Sequence, residues 1–101
     1  MRKHVVKVTE TALQDITNVH DYIAYELLEP ATADKYIRGI YDAVKHLSLY
    51  GASIAVSDRD FLRKQYGLTV RSISYKKMAI VYTVENEQIV VQRIIAGALI
   101  Q

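Results

Sequence analysis

The chain contains no cysteine, a single proline and four glycines. Without cysteine there is no disulfide, no thiolate zinc site and no cysteine nucleophile. That absence suits a reducing cytosol. So little proline and glycine excludes collagen-like, linker-like and proline-rich disordered chains. Long apolar runs are missing too. The longest, Ile94 to Ile100, falls far short of a membrane span. At the N-terminus Arg2, Lys3 and His4 lead only to Val5-Val6 before Lys7 interrupts, which is not a signal-peptide pattern. A cytoplasmic protein that does not engage a membrane is expected. An excess of one charge is also lacking, since the net charge is only +2.

What is present describes one globular domain over residues 1–101. Half the residues are apolar and 24% are charged. A chain of this length buries roughly 65% of its unfolded surface, enough for a modest core without staples.

The small net charge hides an asymmetry. Residues 1–50 carry six Lys/Arg against seven Asp/Glu, whereas residues 51–101 carry seven against four. In the window 59–77, Arg59, Arg63, Lys64, Arg71, Lys76 and Lys77 face only Asp60. Such a patch attracts phosphate or an acidic partner, or is simply a solvated loop with its flanking strand ends.

The order of elements follows from hydrophobic period. Val5, Val6 and Val8 favour a short strand over residues 3–8. Thr9 or Thr11 then caps a helix, with Thr11 and Gln14 spaced for a capping box. Leu13, Ile16, Ile23 and Leu27 give that helix an apolar face. Pro30 stops it and starts the next. Ala33, Ile37, Ile40, Val44 and Leu47 form the stripe of the second helix. Asp34 and Arg38 are spaced to pair on its outer side, and Gly51 is placed as a left-handed stop. So short a link makes an antiparallel helical hairpin. Residues 51–66 lack a clean period, with a helical turn expected at 60–65. Three strand-like runs follow, at 68–74, 78–85 and 88–95, and short turns between them imply an antiparallel meander. The predicted fold is α+β: an N-terminal strand, then an antiparallel α-hairpin packed on a mainly antiparallel sheet of three C-terminal strands. Helices on one side leave the other sheet face open. One parity conflict stands out. Arg71 and Ile73 share a strand face, so a bulge or a sheet edge is needed.

The residues offer little for catalysis. Three histidines without metal-ligand spacing argue against zinc, and no cofactor motif is present. There is no nucleophile elbow, no phosphate-binding glycine loop and no paired-carboxylate pattern. His20 flanks an apolar face and reads as a packed ring. RNA cleavage needs a base, an acid and cations around the phosphate. Arg71, Lys76, Lys77, Arg93, Tyr66, Tyr75 and Tyr82 are the groups at hand. Arg93 interrupts an apolar strand, so it must reach solvent, a partner or a carboxylate. For Arg71 and Arg93 the competing role is an ion pair that stabilises the fold. The apolar stretch Ile94–Ile100 either docks on the core or awaits a partner.

Taken together, these pieces resemble the RelE/ParE toxins of bacterial type II toxin–antitoxin modules, and more closely the ParE (plasmid-stabilisation) branch. Ala12, Asp15, Ile16, Tyr22 and Ile23 fit that branch's first helix; Ala33, Ile40, Ala43 and Leu47 fit its second. Val70-Arg71-Ser72-Ile73, then Ile80-Val81-Tyr82-x-Val84, then Gln92-Arg93-Ile94-Ile95-x-Gly97 follow its order and spacing. The resemblance implies a toxin neutralised by a cognate antitoxin and, in the ParE branch, acting on DNA gyrase. The RelE branch instead cuts mRNA on the ribosome with basic residues on the central strands. The matching positions here hold Val70, Ser72 and Ala79, and Leu99 stands where a later Arg is expected. Ala96 replaces the histidine common before the final Gly97. Three readings follow: a gyrase-binding toxin, a ribosome-dependent mRNA endonuclease, and an inactive antitoxin-binding module. Catalytic residues are unassigned. Target or nucleic-acid contacts are expected at Arg71, Lys76, Lys77, Arg93 and Tyr82. Antitoxin contacts are expected at Ile94, Ile95, Leu99 and Ile100, and homo-oligomers are left open.

Overall fold

The computed structural model describes residues 3–99. Its elements are β1 (Val5–Val8), α1 (Glu10–Asp21), a π-helical turn (Tyr22–Glu26), α2 (Pro30–Tyr50), a 3-10 turn (Gly51–Ser53), α3 (Asp60–Tyr66), β2 (Val70–Tyr75), β3 (Met78–Glu85), β4 (Gln88–Ala96) and a closing 3-10 turn (Gly97–Leu99). The sheet order is β1-β4-β3-β2. The last three strands form the expected antiparallel meander, and β1 joins β4 in parallel.

Thr9 is the residue that caps α1, accepting a hydrogen bond from the Ala12 amide at 3.1 Å. The expected box at Thr11 does not form, because the Gln14 amide donates to Asn18 instead. The apolar face of the first helix also differs from its simple period. Ile16 and Ile23 are buried, but Leu13 and Leu27 are largely exposed, and Ala12 and Ala24 take the inward places. For Leu27 the cause is the π turn; Leu13 precedes it, and there Ala12 takes the inward place beside Ile16. Leu27 N–H bonds to the Tyr22 carbonyl five residues back, which widens the winding and shifts the phase of every later side chain. The turn closes with Glu29 N–H on the Ile23 carbonyl, and this forces Leu28 to φ 57°. A leucine in that left-handed region costs about 1–2 kcal/mol.

The stripe on α2 is inward as expected. Ile40, Val44 and Leu47 join Ala12 and Ile16 against Ile80, Tyr82, Ile89, Val91 and Ile94 of the sheet. Gly51 is not a left-handed stop: its φ is −57°. Glycine is needed there for space, since a Cβ would lie 2.6 Å from Ile89 Cδ1. Asp34 turns toward His20 (3.5 Å from Nε2) rather than forming the expected pair with Arg38.

The second sheet face is not fully open. Helix α3 lays Leu62 and Tyr66 over Val70, Val81 and Ile95. The parity conflict resolves at an edge. Strand β2 is the outermost strand, and Arg71 lies at its start, beyond the end of α2. A bulge does occur, but in β4. Val81 pairs with Arg93 and Tyr82 with Val91, leaving Gln92 as the extra residue. The extra residue lets Val91 and Ile94, three apart, both point into the helix-side core.

β1 is too short to cover the whole of β4. Its last rung is Val8 with Val91, followed by the Thr9 amide on the Val91 carbonyl. From there α1 side chains take over. Thr9 Oγ1 donates to the Gln92 carbonyl at 3.1 Å. Asp15 Oδ2 accepts from the Ile94 amide at 2.9 Å and from Arg93 Nε at 2.8 Å, while Oδ1 accepts from Arg93 Nη2 at 3.1 Å. One carboxylate thereby satisfies a strand edge and a bidentate arginine. Arg93 reaches a carboxylate, one of the three ends open to it. The hydrogen bond to Asp15 raises its pKa further. Removing the carboxylate strands an N–H and a half-buried cation. Asp15→Ala is therefore expected to lower unfolding free energy by about 2–3 kcal/mol in urea denaturation, and Asp15→Asn by less, since its amide oxygen still accepts from Ile94. A loss under about 0.5 kcal/mol, the range of an unremarkable surface change, would contradict this role.

Candidate functional site

The sequence-derived contacts fall into three places. Arg71 and Tyr82 belong to the interior. They stand opposite each other on β2 and β3, so their side chains share the helix-side face. Past the end of α2 the chain leaving the helix passes these two side chains, and its carbonyls need donors. Tyr82 Oη donates to the Gly51 carbonyl at 2.7 Å, and Arg71 Nε donates to the Ile54 carbonyl at 2.7 Å. Arg71 Nη1 is buried with no hydrogen-bond partner among the described residues. Tyr82 is 0% exposed and offers no surface to a partner. Burial pushes its phenol up to about 12, although the Arg71 charge opposes the shift. Arg93 is held by Asp15, as above.

Lys76 and Lys77 are exposed at the β2–β3 turn. Lys76 has φ 52°, and its ammonium lies 5.6 Å from the Tyr36 ring centre and 5.8 Å from that of Tyr75. The two rings meet edge to face at 5.3 Å, and a Cβ on Gly39 would overlap the Tyr75 hydroxyl. The turn is thus anchored to α2 while its cations face solvent. Of the expected antitoxin contacts, Ile94 is in the core, Ile95 packs under α3, and Leu99 is exposed. Ile100 lies outside the described residues.

Two concave surfaces frame these groups. On the sheet face away from the helical hairpin, a polar depression of about 300 Å³ is lined by Ala55, Ser57, Asp58, Arg59, Ser72, Ser74, Ala79 and Gly97. It contains two of the positions, Ser72 and Ala79, at which the resemblance places the nuclease branch's basic residues. The third, Val70, is buried beneath α3. Arg59 is the cation among the lining residues, and no histidine, glutamate or tyrosine accompanies it. Among the described residues no group of three or more His, Cys, Asp or Glu could hold a metal ion.

The second surface was missed by sequence reasoning. An apolar groove of about 600 Å³ lies between the hairpin tip and the start of β3, lined by Asn18, Val19, Tyr22, Ile23, Leu27, Tyr36, Lys77 and Met78. A signal for it existed. In Tyr22–Leu28 six of seven residues are apolar. One helix face buries only part of such a segment, so the remainder must be exposed. Beside it His20 bonds Asp21 at 3.1 Å, which raises its pKa above 6.5, with Asp34 adding to the shift.

A single sheet with a helical hairpin on one face and a short helix on the other defines a small α+β domain. The family model for the ParE toxin of type II toxin–antitoxin systems (parDE) matches residues 6–98, and the chain belongs to that family. Among solved structures, it is similar to a chain of the chromosomal ParDE toxin–antitoxin system of P. aeruginosa. The identity is 21%, the TM-score 0.76, and the match covers 93% of this chain and 96% of that one. It is also similar to a chain of the RelBE2 toxin–antitoxin complex of Mycobacterium tuberculosis. Here identity is 13% and the TM-score 0.58, over 93% of this chain and 98% of that one. No curated protein matches the sequence.

The Tyr82 clasp has a measurable pH signature. Its folded pKa lies above the unfolded value of 10, so its contribution is intact below pH 10 and is lost as pH rises to about 12. Stability of the wild type should fall across that window. Tyr82→Phe should flatten part of the fall and cost about 1–2 kcal/mol at neutral pH, because the Gly51 carbonyl loses its donor. Absorbance titration should show one late phenol missing in the variant.

Proposed function

We propose that this protein is the toxin of a type II toxin–antitoxin module, working in the cytoplasm, held inactive by a cognate antitoxin, and acting by binding DNA gyrase rather than by cutting RNA. The observation that carries the binding reading is the polar depression. Cleavage of a phosphodiester needs a base, an acid and cations near the phosphate. The depression offers three serines, an aspartate and one arginine. Membership of the ParE family supports the toxin assignment and the choice of target. The two similar structures come from a ParDE and a RelBE toxin–antitoxin system, which supports an antitoxin partner.

Within this reading, the target contacts fall to Lys76 and Lys77, the two sequence-derived cations that the fold leaves outward. Arg71, Arg93 and Tyr82 act indirectly, by holding the surfaces in place. Antitoxin contacts fall to Leu99 and the partly buried Ile95. The outer edge of β2 is a second place for a partner, because edge strands accept strand addition. The test uses purified chain and purified gyrase. Micromolar chain should bind the enzyme and inhibit supercoiling. Lys76→Ala combined with Lys77→Ala should weaken inhibition about tenfold, as loss of a steering charge pair does. Absence of both binding and inhibition by the folded wild type would sink the gyrase assignment.

A further inference from the structure

The two tight turns of the meander share a backbone feature and differ in the residue that carries it. Lys76, between β2 and β3, has φ 52°, and Asn86, between β3 and β4, has φ 57°. Asparagine and glycine enter that left-handed region readily, whereas a lysine does so at a cost. A lysine kept there needs a compensating contact, and Lys76 has one. Its ammonium lies 5.6 Å from the Tyr36 ring centre and 5.8 Å from that of Tyr75, so two rings attract the same cation.

The rings are themselves held in place. Tyr36 and Gly39 are three apart on α2 and share a face of that helix. Gly39 leaves the space that the Tyr75 ring fills, since a Cβ there would overlap the Tyr75 hydroxyl. Tyr75 then meets Tyr36 edge to face at 5.3 Å, and both pack against the main core. Lys76 stays exposed, and among the described residues no carboxylate pairs with it. Its charge is thus fixed in position without being neutralised. A free lysine side chain loses rotamer freedom when it binds, and ordering it beforehand removes that cost from the contact. We propose that Tyr36, Tyr75 and Gly39 are positioning residues that pre-order the Lys76 ammonium to meet an acidic side chain of the target. This rests on the reading of Lys76 as a target contact, and adds the device that distinguishes it from an ordinary surface lysine.

The test joins NMR of the full chain to supercoiling assays with purified gyrase. A ring face beneath a side chain moves its protons upfield, so the Lys76 Cε protons should lie upfield of those of the other lysines. Tyr36→Leu and Gly39→Ala should return them to the ordinary position, the second by displacing the Tyr75 ring. What the new methyl displaces is the far end of a side chain, so the fold should survive, as circular dichroism would verify. Both variants should weaken inhibition about two- to fivefold, the factor that an exposed cation–π contact is worth. Tyr36→Phe keeps the ring and should keep both the shift and the inhibition. In a Lys76→Ala background neither Tyr36→Leu nor Gly39→Ala should weaken inhibition further. Wild-type Cε protons at the ordinary lysine position overturn the proposal. So do folded variants that lose the shift yet inhibit fully, and so does a further loss in the Lys76→Ala background. The spectroscopic result needs no target. A wild type that shows the shift but leaves gyrase untouched would sink the gyrase reading and support the ordering of Lys76.

Discussion

The structure depends on how a four-residue strand covers a nine-residue one. β1 leaves the second half of β4 without a strand partner on that side. Buried backbone amides cannot be left unpaired, so something else must accept from Ile94. Asp15 does, from the second turn of α1, and the same carboxylate neutralises Arg93. This joint ties α1 to β4 across nearly the full length of the sequence. It sets where α1 lies, then where the π turn begins, and finally where the hairpin tip and its groove stand relative to the β2–β3 turn. The bulge at Gln92 belongs to the same joint. It re-phases the strand so that Arg93 reaches Asp15 while Ile94 returns to the core.

Much of this was legible in the sequence, and the limits have physical reasons. Element order and the inward stripe of α2 follow from period alone. The need of Arg93 for a carboxylate, solvent or a partner follows from the cost of burying a charge, but which of the three it meets is a tertiary fact. A uniform 3.6 period places Leu27 inward. Widening by one residue at Tyr22–Glu26 moves later side chains around the axis, and no single residue announces it. Gly51 has the position of a left-handed stop, yet its glycine answers to the crowding of Ile89. That constraint lives in another element and is invisible locally.

The candidate site was less legible than the fold. Arg71 and Tyr82 are residue types common at binding surfaces, and sequence cannot tell an outward tyrosine from one whose hydroxyl closes a buried carbonyl. Their partners, the carbonyls of Ile54 and Gly51, carry no side-chain signature at all. Lys76 and Lys77 were easier, since two adjacent lysines in a tight turn have nowhere to go but outward. The resemblance to the ParE branch rested in part on residues that hold the fold together (Asp15, Tyr82, Arg93), and the family it named is the one whose model matches.

The chain is proposed to act on its target by binding rather than by cutting RNA. The most direct measurement is paired incorporation of labelled thymidine and labelled leucine after induction in a bacterial host. A gyrase-binding toxin stops DNA synthesis first, so thymidine incorporation should fall while leucine incorporation continues. A fall in leucine incorporation that precedes the loss of thymidine would identify translation as the target and contradict the account.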